Sequence, residues 1–257
     1  HPTHRARLSI PGDGLYKELN RAKDNMLQAY LDTLTEVTQL RQQWTEQRDV
    51  AVAHLSACSN AVQELTYLAG TAQEEFAAKW EIGGSSNPKH LFTDNNDDNG
   101  GHDDEQEQEQ EQDLPYNPLA RASARARTVC RLTRDKEHEK LMAAFDEMAR
   151  VVSQMQHVYD VAKTTYNTMV ATDRHWETSR IGLTWCCNDV LNLVQEMIHS
   201  YRQELFVKAC IVDDLVQQTD IDVLLAYAAT FLSEPFIDGN HLDPLMETAK
   251  YDLSNAT

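Results

Sequence analysis

Glycine and proline are scarce in this chain, nine and seven among 257 residues, and their scarcity removes whole classes of structure. A phosphate-cradling loop needs glycines clustered ahead of a Lys-Ser/Thr pair, and the glycines at 12, 14, 70, 83, 84, 100, 101, 182 and 239 offer no such spacing. Few turn-formers also argue against a many-stranded sheet, whereas abundant Leu, Ala, Gln and Glu favour long helices. The five cysteines (Cys58, Cys130, Cys186, Cys187, Cys210) form no CxxC pair. Their odd count and the adjacent Cys186-Cys187 speak against a secreted disulfide framework and for a reducing compartment. No His-Glu-x-x-His zinc pattern and no Gly-x-Ser-x-Gly elbow occurs, so neither metal, cofactor nor catalysis is expected. No apolar run approaches the length of a membrane span, and no signal-peptide pattern opens the chain. The first residue is His1, which reads as a fragment or processed form.

What is present is charge and helical period. Net charge is −18, yet Asp94–Asp113 alone holds ten acidic residues and no basic one. The remaining 31 acids against 23 bases (41 less 10, against 23) leave the rest at about −8. Residues 83–118 cannot bury enough apolar surface to offset their ordering entropy and are expected to be a disordered linker. Residues 1–13 read as a flexible leader.

Two segments carry heptad seams. In 14–82 the residues Trp44, Arg48, Ala51, Leu55, Cys58, Val62, Leu65, Ala69, Ala72 and Phe76 step by 4 and 3, spoiled only by Arg48. In 119–173 the seam is Leu141, Phe145, Met148, Val152, Met155, Tyr159, Ala162, Tyr166 and Met169. Two narrow stripes joined by a long linker predict an antiparallel intramolecular coiled-coil hairpin. The alternative is that each stripe meets another chain, as in a purely structural subunit of a kinetochore- or tether-like assembly. Residues 174–184 break the period. A helix from about Cys186 to Gln218, one from an Asp220 N-cap to Leu232, ended by Pro235, and one near Asp243–Lys250 then make up 174–257. The expected class is all-α: a long antiparallel coiled-coil hairpin with a small C-terminal helical module.

One basic stretch, Arg121, Arg125, Arg127, Arg131, Arg134 and Lys136, could contact phosphates. It lacks interleaved aromatics and adjoins the acidic run, so a solvated face is favoured and nucleic acid is not expected as a partner. All seven prolines follow His, Ile, Asn, Leu, Asn, Glu or Asp, which excludes a proline-directed kinase site in this sequence.

The C-terminal segment carries a more particular pattern. Thr184-Trp185 is followed, sixteen residues after the Trp, by Tyr201-Arg202-Gln203-Glu204-Leu205, ending at Lys208. Then come Asp214-Leu215, Asp220 and Asp222, Leu225-Ala226-Tyr227, Leu232-Ser233-Glu234-Pro235-Phe236 and Leu245-Met246-Glu247-Thr248. Over residues 183–250 this resembles the cyclin-dependent kinase 2-interacting protein family, with Phe231 where that family commonly has Trp. The resemblance implies a non-catalytic protein–protein adaptor: an accessory subunit of an AAA-type ATPase complex in large ribosomal subunit maturation and replisome upkeep. It also implies links to cyclin-dependent kinase 2, Cdc7 and ATR-checkpoint proteins, hence to the cell cycle, DNA replication and the DNA damage response. The nucleus is the implied location, with the cytoplasm second. Candidate partner-binding residues are Trp185, Tyr201, Arg202, Glu204, Lys208, Tyr227, Phe231, Pro235 and Phe236. The aromatic ones could equally pack the module's core. Arg202, Glu204 and Lys208 are expected as exposed contacts, although Glu204 and Lys208 could form a local i,i+4 helix pair.

Overall fold

The computed structural model describes residues 12–82 and 118–256, with side chains from 18 to 71 (Leu19 excepted) and from 121. The acidic run and all but the edges of the expected leader and linker lie outside the described residues, as do the side chains of Ala72 and Phe76. Five helices follow in order: α1 (Gly12–Ile82), α2 (Pro118–Thr172), α3 (Cys187–Leu215), α4 (Ile221–Ser233) and α5 (Gly239–Ser254), with a 3-10 turn at Arg174–Glu177. Among the described residues the one extended pairing is an isolated antiparallel bridge between Arg180 and Cys186. The all-α expectation holds, and α1 and α2 pack as a helical hairpin.

The described residues fall into two compact units. One joins the residues up to Ser56 with those from Glu137 onward; the other is the described part of Ala57–Lys136.

In the larger unit α3 packs along both helices of the hairpin, so three helices share its core. His54 Nδ1 lies 2.7 Å from Glu137 Oε2, where α1 and α2 run antiparallel. The Cys187 thiol donates to Met26 Sδ at 3.2 Å, and Arg41 Nε donates to the Tyr201 hydroxyl at 3.2 Å, so α3 runs parallel to α1. The Tyr159 hydroxyl donates to Gln195 Oε1 at 2.9 Å, setting α3 against α2 as well. A third helix explains why burial exceeds an a/d stripe. The neighbouring pairs Met26 and Leu27, Val151 and Val152, and Val158 and Tyr159 are all buried, as a helix facing two others requires. In this unit the predicted seams account for part of the burial. Trp44, Ala51, Leu55, Leu141, Met148, Val152, Met155, Tyr159 and Ala162 are buried, while Phe145, Tyr166 and Met169 are half-buried.

α4 begins at the predicted cap, where the Asp220 side chain accepts from Asp222 N. α5 starts at Gly239, earlier than the sequence suggested, with the Asp238 side chain accepting from His241 N. Pro244 sits inside it, close enough to the helix start that only one early turn loses a bond. Leu242, Met246, Ala249 and Leu253 form its buried face.

In the smaller unit the two helices again run antiparallel. The Cys58 thiol donates to the Arg134 carbonyl at 3.6 Å, and the Cys130 thiol to Glu64 Oε2 at 3.3 Å. Cys58, Ala61, Val62 and Cys130 are buried, whereas the expected seam residue Leu65 is half-buried and Ala69 exposed.

Candidate functional site

α3 has an inner and an outer face, and the Tyr-Arg-x-Glu-Leu element divides between them. Tyr201, Glu204 and Lys208 recur at helical spacing and point inward; Arg202 points to solvent. The expectation that Glu204 and Lys208 are exposed contacts is corrected: both are 0% exposed. They do form the i,i+4 pair, Lys208 Nζ to Glu204 Oε1 at 2.8 Å, but inside the protein.

The reason lies at Pro235. The Phe231 carbonyl, in the last turn of α4, would ordinarily accept from the N–H four residues on, and that residue is proline. Lys208 Nζ supplies the missing donor at 2.6 Å. Just beyond the helix, the Phe236 N–H donates to Glu204 Oε2 at 3.2 Å. The buried ion pair thus closes the C-terminus of α4 from a neighbouring helix. Lys208 Nζ also stands 4.3 Å from the centre of the Phe231 ring, itself 0% exposed. Burial lowers the Lys208 pKa, and the Glu204 carboxylate only partly restores it.

Glu234 ends α4 in the left-handed region, at φ 47° and ψ 61°, the single non-glycine residue of positive φ among those described. A residue before proline avoids the right-handed helical region, so the helix must leave that conformation here. The side chain holds the turn in place. Trp44 Nε1 donates to Glu234 Oε1 at 2.5 Å, and Arg48 Nη1 to Oε2 at 2.7 Å. Arg48, which spoiled the α1 seam, is therefore the contact that a third packing surface demands. One heptad earlier, Arg41 bonds Asp243 on α5 and the Tyr201 hydroxyl. Burial raises the Tyr201 pKa, opposed by Arg41.

The loop before α3 presents Trp185. Its backbone folds back through Ile181 N and Gly182 N, which donate to the Trp185 carbonyl at 3.1 and 3.2 Å. Asp252 of α5, 6% exposed, then pins it: its carboxylate accepts from Thr184 N at 3.0 Å and from Trp185 N at 3.1 Å. Burial alone would raise the Asp252 pKa, but the backbone donors at Thr184, Trp185 and Leu183 outweigh it and hold the pKa low. Gly182 permits this approach, since a Cβ there would meet Asp252 Oδ2 at 2.1 Å. Beside the loop a groove of about 460 Å³ opens between α3 and α5, lined by Trp185, Asp189, Asn192, Leu193, Glu196 and Leu245.

The nine candidate residues accordingly separate. Tyr201, Glu204, Lys208 and Phe231 are interior. Trp185 and Tyr227 are half-buried, the Tyr227 hydroxyl bonding Asp214, while Arg202, Pro235 and Phe236 are exposed. Sequence reasoning missed Asp252, Gly182 and Glu234; only the Glu-Pro dipeptide carried a local signal. It also missed the outward Phe206, Leu225 and Leu232. Leu225, Ala229 and Leu232 recur at i, i+4 and i+7, a stripe legible in the periodicity of α4. No group of His, Cys, Asp and Glu able to hold a metal occurs among the described residues, and no helix there is long and apolar enough to cross a membrane. No family model matches the chain, and no curated protein matches it.

Proposed function

We propose that this chain is a non-catalytic protein–protein adaptor whose docking surface lies on the C-terminal helices. The observation that carries the reading is the distribution of exposed apolar side chains. Seven of the twelve large hydrophobic residues exposed among those described lie after residue 182: Leu183, Phe206, Val216, Leu225, Leu232, Phe236 and Tyr251. Phe206 is 70% exposed, Leu225 58% and Leu232 54%, while the polar groups beneath them are spent on internal bonds. Leu225, Ala229 and Leu232 lie together on one face of α4, and a contiguous exposed apolar patch of this kind marks interaction sites. The resemblance of residues 183–250 supplies candidate partners: AAA-type ATPase complex subunits, then cyclin-dependent kinase 2, Cdc7 and ATR-checkpoint proteins, met in the nucleus. The test is affinity purification with Leu225→Asp/Leu232→Asp and, separately, Phe206→Asp. Loss of a partner set with unchanged far-UV circular dichroism supports the adaptor reading; an unaltered partner set in both variants removes it.

A structural-subunit reading has one observation in its favour. In the unit within 57–136, Tyr67, Val129 and Leu132 are 71%, 61% and 64% exposed beside the two-helix seam, as if awaiting another helix. Sedimentation across a hundredfold concentration range tests it: self-association lost in Val129→Asp/Leu132→Asp supports a coiled-coil subunit, and a monomer throughout defeats it.

A further inference from the structure

From the groove beside Trp185 we infer a recognition site for a short partner segment that carries an arginine or lysine next to an aliphatic side chain. The inference rests on the adaptor reading and deepens it. Three features converge. The apolar part of the lining is Trp185, Leu193 and Leu245, and the volume of about 460 Å³ is ordinary for a ligand pocket. The ionised side chains lining it, Asp189 and Glu196, are both carboxylates, with no lysine or arginine among the lining residues. On the facing helix His241 places its Nε2 3.6 Å from Glu196. Finally, Asp252 fixes the Trp185 backbone at the edge of the groove.

This geometry selects its occupant. Asp189 and Glu196 are seven residues apart on α3, two turns along one stripe, about 10 Å by helical rise. Asp189 accepts from Cys186 N through Oδ2 and also takes a hydrogen bond from the Cys186 thiol, which uses only part of a carboxylate's acceptor capacity and leaves the rest for a ligand. A guanidinium can stack on an indole and fork onto a carboxylate at once, which an ammonium does less well. An aliphatic neighbour then covers Leu193 and Leu245. The Trp185 indole N–H donates to no group among the described residues and can meet a backbone carbonyl of the bound segment. Phosphate-bearing partners are repelled by the same carboxylates.

The test uses the full chain and a fluorescein-labelled peptide of sequence Leu-Arg-Ala-Leu-Arg, read by anisotropy, with Leu-Glu-Ala-Leu-Glu as control. Saturable binding is expected for the arginine peptide and none for the control. Affinity should fall with added salt. Glu196→Lys should weaken binding about tenfold or more, as for reversal of one close charge pair, and Trp185→Ala should weaken it similarly. Asp213→Lys, an equal charge change on the exposed outer face of α3, should leave it within about twofold, as expected for a charge that makes no contact. The proposal is overturned if the arginine peptide fails to bind at millimolar concentration. It is equally overturned if Asp213→Lys weakens binding as much as Glu196→Lys, which would mean a diffuse attraction to an acidic protein. Dimerisation abolished by Glu196→Lys would assign the groove to a second copy and also overturn it. Partners retained by Glu196→Lys and Trp185→Ala but lost in Leu225→Asp/Leu232→Asp would discard the groove while leaving the adaptor reading standing.

Discussion

Replacing Lys208 by methionine tests whether the Glu204–Lys208 pair is part of the fold. An exposed i,i+4 pair on a helix contributes about 0.2–0.5 kcal/mol, and its loss would scarcely register. Here both side chains are 0% exposed, so the substitution strands the Glu204 carboxylate in the interior with the Phe236 N–H as its remaining donor. It also orphans the Phe231 carbonyl, which Pro235 cannot serve. Breaking one half of a buried pair costs about 3–5 kcal/mol. Glu204→Met should cost about as much for the mirror-image reason. The double variant removes both charges together. It regains the roughly 1–4 kcal/mol that an apolar replacement of a buried pair can return, against about 1–3 kcal/mol for each backbone group left unsatisfied. The two single losses should therefore exceed the double loss by at least about 1 kcal/mol, an excess of the kind seen for coupled neighbours.

Urea unfolding of the four proteins, followed by far-UV circular dichroism, measures this cycle. The pH dependence supplies a second readout. Burial lowers the Lys208 pKa in the folded protein, so between that value and about 10.4 the unfolded chain binds more protons. Stability contributed through this group then rises with pH across that window, and the difference between the wild type and Lys208→Met should grow accordingly. A loss below about 1 kcal/mol for Lys208→Met, or single losses that add to within about 0.5 kcal/mol, would refute the reasoning and return the pair to the surface.

Further outcomes follow from contacts elsewhere in the fold. Gly182→Ala should cost about 1–3 kcal/mol, as overpacking does, read as a lowered melting temperature, because Asp252 is buried and tied by backbone donors and cannot retreat. Asp252 itself stabilises the fold above about pH 3.9, and its contribution is lost as pH falls through its lower folded pKa; Asp252→Asn should flatten that acid limb in an acid titration of stability. Glu234→Gly relieves a left-handed residue, about 1–2 kcal/mol, yet should destabilise in thermal melts, since Trp44 and Arg48 lose a carboxylate with hydrogen bonds of about 1.5–3 kcal/mol each. In native protein a maleimide should label Cys210, which is exposed, well before Cys58, Cys130 and Cys187, which are buried, as mass spectrometry of digests can show. Burial pushes the Cys187 thiol up to about 11, so its contribution to stability is complete below the ordinary cysteine pKa and fades as pH climbs through 11.

The helices and the seams were legible because period survives in any context: Leu141, Met148 and Met155 repeat whether one partner helix or two cover them. What period cannot report is the number of partners. α3 alongside α1 was invisible in the α3 sequence, and the one clue lay on α1, where Arg48 interrupted an apolar stripe. A seam with a single partner has no use for an arginine. A seam flanked by a second surface can use one that reaches across its edge, and Arg41 and Arg48, one heptad apart, reach Asp243 and Glu234 on successive parts of the C-terminal segment. Of the candidate contact residues, Arg202, Pro235 and Phe236 are exposed and Trp185 half-buried, while the exposure expected of Glu204 and Lys208 was misread.

That misreading has a physical cause. Charged residues four apart on a helix are ordinarily a solvated pair, and nothing local to α3 says otherwise. The demand that buries them is set 23 residues away, at the Phe231 carbonyl that Pro235 leaves without a donor. An unpaired backbone acceptor in a dry site requires a donor long enough to arrive from another helix, and a lysine meets that need only if a carboxylate accompanies it. Tyr201, Glu204 and Lys208 are thereby committed to holding α1, α4 and the turn after it, and Arg202, the one charged member of the element with no such duty, is left facing water. A partner that docks on the outer face of this part of α3 would meet Arg202 and its exposed neighbour Phe206, so charge reversal at Arg202 should alter such binding without altering stability, whereas reversal at Lys208 should unfold the turn before any question of binding arises.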